Sequence, residues 1–301
     1  MSINSNQKRD RRKAKAKRPE PLLPHALHQL DTLRKQYIKT WRVNSNGHLA
    51  QGHYSWMAAK LDGYPRTLEI GCGIGHSTLA LLKQGHSVVC VEENPHCISA
   101  TQALIAEEGY SVAVITRGTA KSVDENAYRL IYSDIGTPPK VDCLLIEGDA
   151  LKDPKLEAWL MTQPKFDSIA CWLIGTHDSR GHNIAVDAGL IPGPREHRIF
   201  VQNSVYELAD HVLRSGGILN VIDRAQPPSN DFLANALLDS HREQASVTSL
   251  QVQTLDHIPH KEADDVGALR MQITAPKETL DQLPSEGAPE ISLCSITSVK
   301  P

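Results

Sequence analysis

Three glycines at alternate positions, Gly71, Gly73 and Gly75, stand in the stretch LEIGCGIGHS (68–77), between an apolar run and a helix-forming one. Glycine is needed where a backbone must turn with positive φ and lie against a ligand with no Cβ in the way. A helix that starts just after such a loop points its free N–H groups back at it. An acid, Glu69, precedes the first glycine by two positions. The dinucleotide fingerprint GxGxxG would need glycine at position 76, where His76 stands, and no GK[ST] follows to make a P-loop. A second acid, Glu92, closes the next apolar run, SVVCVE, 17 residues beyond Gly75. An acid at such a strand tip can accept hydrogen bonds from the two hydroxyls of a ribose. Glu93 is adjacent, but strand alternation points it elsewhere.

A glycine pattern alone is weak, so the elements that hold it must decide. Residues 25–42 place Leu27, Leu30, Leu33, Tyr37 and Trp41 at helical spacing, and SWMAAKLDG reads as one more helix after a loop over VNSNGHLAQGHY. From Thr67 onward strands and helices alternate: TLEIG, HSTLALLKQG, SVVCVE, PHCISATQALIAEEG. That rhythm predicts an α/β fold with a doubly wound, mostly parallel sheet. SVAVIT (111–116) and AYRLIY (127–132) break it as two short strands, read as a hairpin inserted over about 111–140. VDCLLIEGD and FDSIACWLIG continue the core. The helix SVYELADHVLRSG stops at Gly216–Gly217. The strand ILNVID and a helix near NDFLANALLDSHREQ follow, and SLQVQTL with GALRMQIT reads as a closing antiparallel pair. Residues 276–301 carry Pro, Ser and Glu without periodicity and read as a disordered tail. The expected organisation is a basic arm over 1–24, a helical extension over 25–65, and the main domain over 66–275.

The pattern E-x-G-x-G-x-G resembles the first motif of class I S-adenosylmethionine-dependent methyltransferases. The resemblance implies a fold of seven core strands, with a loop wrapping the methionine part of the cofactor S-adenosyl-L-methionine. Glu69, Gly71, Gly73 and Gly75 would belong to that loop, and Glu92 would take the ribose. IEGDAL (146–151) would place Asp149 at the tip of the third strand near the adenine amino group, with Ala150 beside the ring. Asp167 just precedes an apolar run, as in many members, and the closing antiparallel strands fit the topology. These matches cover roughly residues 66–275 in order and spacing, and the insertion departs from the plain family pattern.

The implied reaction is an in-line displacement on a sulfonium methyl, so the protein must align a nucleophile about 3 Å away and remove a proton where needed. Loops at the carboxyl ends of the fourth and fifth strands should face the acceptor. There CWLIGTHDSRGHN (171–183) offers His177 as a candidate general base, with Asp178 beside it. A loop histidine without a role is the competing reading. Tyr54 and Trp56 are placed to close over the cofactor, with packing as the other role for Trp56. No (D/N/S)PP(Y/F) follows the fourth strand and no Pro-Cys occurs, which argues against DNA-base acceptors. No convergent acid set indicates a metal, so none is expected.

Charge adds one further feature. Residues 8–18 carry eight Lys/Arg and one Asp, +7, so with a net charge of −3 the remaining chain stands at −10. Such an arm reads either as a solubilising tail or as an RNA-docking element acting through counterion release. Six cysteines form no CxxC pair, and no apolar run is long enough to span a membrane, so a cytoplasmic protein with no membrane partner is expected. The reading is a methyltransferase with a small-molecule substrate. An RNA or ribonucleoprotein methyltransferase docking through residues 8–18, or a non-catalytic cofactor-binding protein, are the alternatives.

Overall fold

A computed structural model describes residues 24–186, 189–263 and 290–301. Apolar runs bounded by glycine and proline give the predicted alternation. In order these are α1 (His25–Ala50), α2 (His53–Ala59), β1 (Arg66–Ile70), α3 (His76–Lys83), β2 (Ser87–Glu92), α4 (Pro95–Glu107), β3 (Val112–Ile115), β4 (Gly118–Ser122) and β5 (Tyr128–Tyr132). Then come β6 (Cys143–Glu147), α5 (Pro154–Thr162), β7 (Phe166–Trp172), a 3-10 turn (Asp178–His182), α6 (Pro194–Val212), β8 (Leu213–Ala225), α7 (Asp231–Ala245), β9 (Gln251–His260) and β10 (Ile291–Val299).

Eight strands form one sheet in the order β3-β6-β2-β1-β7-β8-β10-β9, parallel except for β10, which pairs antiparallel with both neighbours. The order reverses between β1 and β7, and the crevice at the carboxyl ends of strands beside such a switch is where ligands bind in open α/β sheets. Two apolar clusters cover the two faces. One holds Met57, Leu81, Ile105 and Trp172, the other Leu68, Ile169, Val205 and Tyr206. All six cysteines are buried free thiols. No helix among the described residues is long and apolar enough to cross a membrane.

Four expectations need correction. Helix α1 does not end near Arg42 but runs to Ala50, because Asn44, Ser45 and His48 continue its buried face. Val112–Ile115 is not a hairpin strand: it pairs in parallel with β6 and adds an eighth strand at the sheet edge. The hairpin is instead β4–β5, whose first strand, Gly118–Ser122, lies between the two runs read as its strands. Gly216–Gly217 do not cap a helix, since α6 ends at Val212 and both glycines lie in β8, where Gly217 is crowded by the carbonyls of Arg214 and Asp167.

The fourth correction is the tail. Ile291–Val299 is the central strand of the closing trio, between β8 and β9. Its serines are buried and bonded: Asn220 Nδ2 donates to Ser295 Oγ at 2.8 Å, and Ser298 Oγ lies 3.1 Å from the Tyr206 hydroxyl. Satisfied buried hydroxyls let a polar-looking segment occupy a core position. Residues 267–274, read as the last strand, lie outside the described residues, as does the basic arm.

The hairpin is fastened by a buried ion pair. Arg117 bonds Asp153 and donates from Nε to the Ser133 carbonyl at 2.9 Å, and both pair members are almost fully enclosed. Tyr128, Leu130 and Tyr132 of β5 then pack on Ala26 and Leu30 of α1. The Tyr128 hydroxyl donates to the Ser179 carbonyl at 3.0 Å, so the insertion buttresses the turn after β7.

Candidate functional site

At the carboxyl ends of β1, β2, β6 and β7 lies a cleft walled by Gly71, Gly73, Glu92, Asp149, Ala150 and Trp172, among others. Its floor is the loop after β1, where Gly71, Gly73 and Gly75 all take positive φ, at 80°, 55° and 93°. At Gly73 a Cβ would collide with the Trp41 indole nitrogen, so this position needs glycine twice over. Glu69 supports the loop rather than lining the cleft. Its carboxylate accepts from Ser77 Oγ at 2.5 Å and Thr78 Oγ1 at 2.6 Å, tying β1 to the first turn of α3. Burial pushes its carboxyl up to about 7 despite those two hydroxyls.

Glu92 sits at the tip of β2, facing the cleft. It accepts from Asn94 N–H at 2.8 Å and Gly73 N–H at 3.3 Å. Enclosure by protein pushes its carboxyl up to about 7, and Glu93 adds to the rise, while the two backbone donors work against it. A buried acid with few donors is suited to a ligand that brings more of them. Asp149 also lines the cleft, but its oxygens accept from Arg180 at 2.6 and 2.7 Å and from Leu151 N–H at 2.9 Å.

Glu93, expected to point away, also lines this cleft. It is paired with Arg34 of α1, and its Oε2 lies 2.8 Å from His177 Nε2. Burial would raise its carboxyl, but Arg34 and the His177 bond outweigh that and hold it well below the usual carboxylate range. The other His177 nitrogen, Nδ1, is 2.6 Å from Ser179 Oγ. Acid, imidazole and hydroxyl thus stand in series, as in a nucleophilic triad. Ser179 lines neither this cleft nor the cavity beside it, so its hydroxyl is placed to orient His177 and not to attack. Glu93 on Nε2 and Ser179 on Nδ1 together fix the orientation of the His177 ring beside the cleft.

A second cavity opens next to the cleft and shares Thr176, His177, Arg180 and His197 with it. Asp178 is exposed on its lining. His197, on the first turn of α6, is the residue that the sequence reading missed. It is buried, and neither ring nitrogen has a partner among the described residues. Burial, with Arg180 and His177 nearby, pushes it down to about 3, so it is neutral at pH 7. Its one sequence signal is position: it follows Gly193-Pro194, a helix start that brings the first turn towards the strand ends.

The helical cover also differs from expectation. Tyr37 and Trp41 of α1 line the cleft, not Tyr54 and Trp56. Tyr54 is buried with its hydroxyl 2.6 Å from Ser45 Oγ, and Trp56 packs under Lys60. Arg34 and Asn94 Nδ2, which donates to the Arg34 carbonyl at 3.1 Å, lock α1 onto the tip of β2.

No family model matches the chain, and no curated protein matches it. Solved structures that the chain resembles at low identity include a putative methyltransferase from Bacillus halodurans C-125 and the [4+2]-cyclase SpnF. TrmN from Thermus thermophilus is 11% identical over 83% of this chain and 48% of its own, with a TM-score of 0.44. TehB from Haemophilus influenzae is 12% identical over 82% and 61%, with a TM-score of 0.41. The N-methyltransferase NodS from Bradyrhizobium japonicum WM9, solved with S-adenosyl-L-homocysteine, is 10% identical over 84% of this chain and 87% of its own, with a TM-score of 0.43.

Proposed function

We propose that the chain is an S-adenosylmethionine-dependent methyltransferase acting on a small molecule. The observation that carries this reading is the convergence of two positive-φ glycines, Gly71 and Gly73, with Glu92 and Asp149 on one cleft at the sheet's switch point. Two features fit the group. Gly71 and Gly73 bring the loop backbone to the cleft lining, and Glu92 is an enclosed carboxylate able to accept from a ribose diol. The apolar lining of Ile70, Val91, Ala150 and Ile174 suits an aromatic base. When bound, the group supplies an electrophilic methyl.

The chain's own residues then do the positioning. Glu92 holds the sugar, and the glycines of the loop after β1 let its backbone lie close against the ligand. Arg180, paired with Asp149, forms the wall between cleft and second cavity. The second cavity receives the acceptor, and neutral His197 accepts a hydrogen bond from its O–H or N–H. His177 acts as a positioning residue by fixing Glu93 and the turn that carries Arg180. The RNA reading rests on the basic arm alone, so the small-molecule reading is preferred.

The test is transfer from methyl-labelled S-adenosylmethionine into a lysate of the source cells, followed by acid partition. Acid-soluble label that vanishes with Glu92→Ala supports the proposal. Label confined to ribonuclease-sensitive precipitate would replace the small molecule with RNA, and no transfer to any fraction would leave a binding protein.

A further inference from the structure

Three histidines outside the cleft meet where the N-terminal helices touch the closing edge of the sheet. His48 lies in the last turn of α1, His53 opens α2, and His260 ends β9. They are 0%, 3% and 8% exposed, in the same order. One nitrogen from each lies within 4.8 Å of the other two. His48 Nδ1 and His53 Nδ1 are 3.2 Å apart. Two nitrogens bound at about 2.0–2.1 Å to one tetrahedral ion stand about 3.3 Å apart, so this pair already has the required span. The His260 ring stacks on His48 with centroids 4.5 Å apart and meets His53 edge-on at 5.1 Å.

A neutral imidazole has one N–H to donate and one lone pair to offer. The Pro259 carbonyl accepts from the His53 ring, the type of second bond that orients a metal-binding histidine. His48 Nε2 and both nitrogens of His260 find no partner among the described residues. A dry interior does not normally leave three such atoms unanswered. A histidine binds metal through the lone pair of its neutral ring. Arg224 is the nearby cation, and its charge is paired with Glu262 at 3.0 Å. Three imidazoles with no thiolate and no carboxylate favour a borderline ion such as zinc over calcium or magnesium.

We propose that His48, His53 and His260 are the protein ligands of a zinc-class divalent ion, which fastens the helical cap to the closing edge of the sheet. The site reaches the cleft indirectly. The His48 ring lies 6.2 Å from that of Trp41, and Trp41 covers Gly73, so the ion braces the cleft wall from behind.

The experiment uses the full chain stripped with a chelator and titrated with Co²⁺, then Zn²⁺. One equivalent of Co²⁺ should give the visible absorption of a four- or five-coordinate site, which one equivalent of Zn²⁺ abolishes. The thermal midpoint should rise with zinc concentration. His53→Ala and His260→Ala should each lose the band, whereas His241→Ala, half-buried beside Tyr206 elsewhere, should keep it. Because alanine at a buried position can loosen the fold, the wild-type spectrum also decides by itself. No band and no zinc-dependent midpoint in the wild-type chain would overturn the proposal, as would a band surviving in both variants. Neither readout depends on methyl transfer, so the site stands or falls apart from the cofactor reading.

Discussion

If Glu92 takes the ribose of the cofactor, binding must depend on pH in a way set by its surroundings. In the ligand-free protein, enclosure pushes its carboxyl up to about 7, because two backbone N–H groups stabilise the charge less than water would. A diol adds two donors that favour the ionised form. Ligand binding is then linked to loss of a proton, and affinity falls as pH drops through 7. Between pH 8 and pH 6 the ionised fraction of a group with a pKa of 7 falls about tenfold, so Kd for S-adenosyl-L-homocysteine should weaken about tenfold, or about 1.4 kcal/mol. Above pH 8 the curve should flatten. Glu92→Gln removes the titration and one strong acceptor, costing about 1.5–3 kcal/mol at pH 8 and leaving a pH-independent Kd. Glu69 titrates in the same range but faces α3, so Glu69→Gln should retain the slope. Isothermal titration across pH 5.5–8.5 measures all three proteins. A flat wild-type profile, or a slope that survives Glu92→Gln, would rule out Glu92 as the titrating ribose acceptor.

Three further outcomes follow from the geometry. Gly73→Ala puts a side chain at φ 55° against Trp41, so the denaturation midpoint should fall by the equivalent of about 1–2 kcal/mol or more, with weaker ligand binding; an unchanged midpoint would contradict the close approach. Asp153→Ala strands the enclosed Arg117 charge and removes the N-cap bond to Leu156 at 3.1 Å, so a loss of about 3–5 kcal/mol is expected in urea titration, while a loss under about 1 kcal/mol would show that the pair does not anchor the hairpin. His197→Ala should lower kcat with Kd for the cofactor unchanged, whereas His177→Ala should disturb Kd as well, because it releases Glu93 beside the cleft; equal effects of the two on kcat alone would remove the distinction between them.

The parts of the fold carried by local pattern were legible in the sequence. The β1–loop–α3 unit follows from an apolar run, alternating glycines and a helix start, and Glu92 falls at the strand tip that spacing assigns. What was hidden depends on long-range partners. Ile291–Val299 looks like a polar tail until Asn220 and Tyr206 are found facing its serines. Val112–Ile115 and Tyr128–Tyr132 are both short runs rich in β-forming residues, and only pairing with β6 decides which joins the sheet. Nothing local distinguishes His197 or His48 from the chain's other histidines, since their placement comes from helix starts and lengths. His177 was visible in the loop after β7, but its engagement by Glu93 and Ser179 links positions 84 and 2 residues away.

On the proposed function, the cleft after β1 binds S-adenosylmethionine. Equilibrium dialysis of the full chain with methyl-labelled S-adenosylmethionine at pH 8 tests it most directly, with S-adenosyl-L-homocysteine and NAD as competitors. One equivalent should bind, be displaced by S-adenosyl-L-homocysteine and not by NAD, and be lost in Glu92→Ala. Displacement by NAD, or no binding by the folded wild-type chain, would contradict the claim.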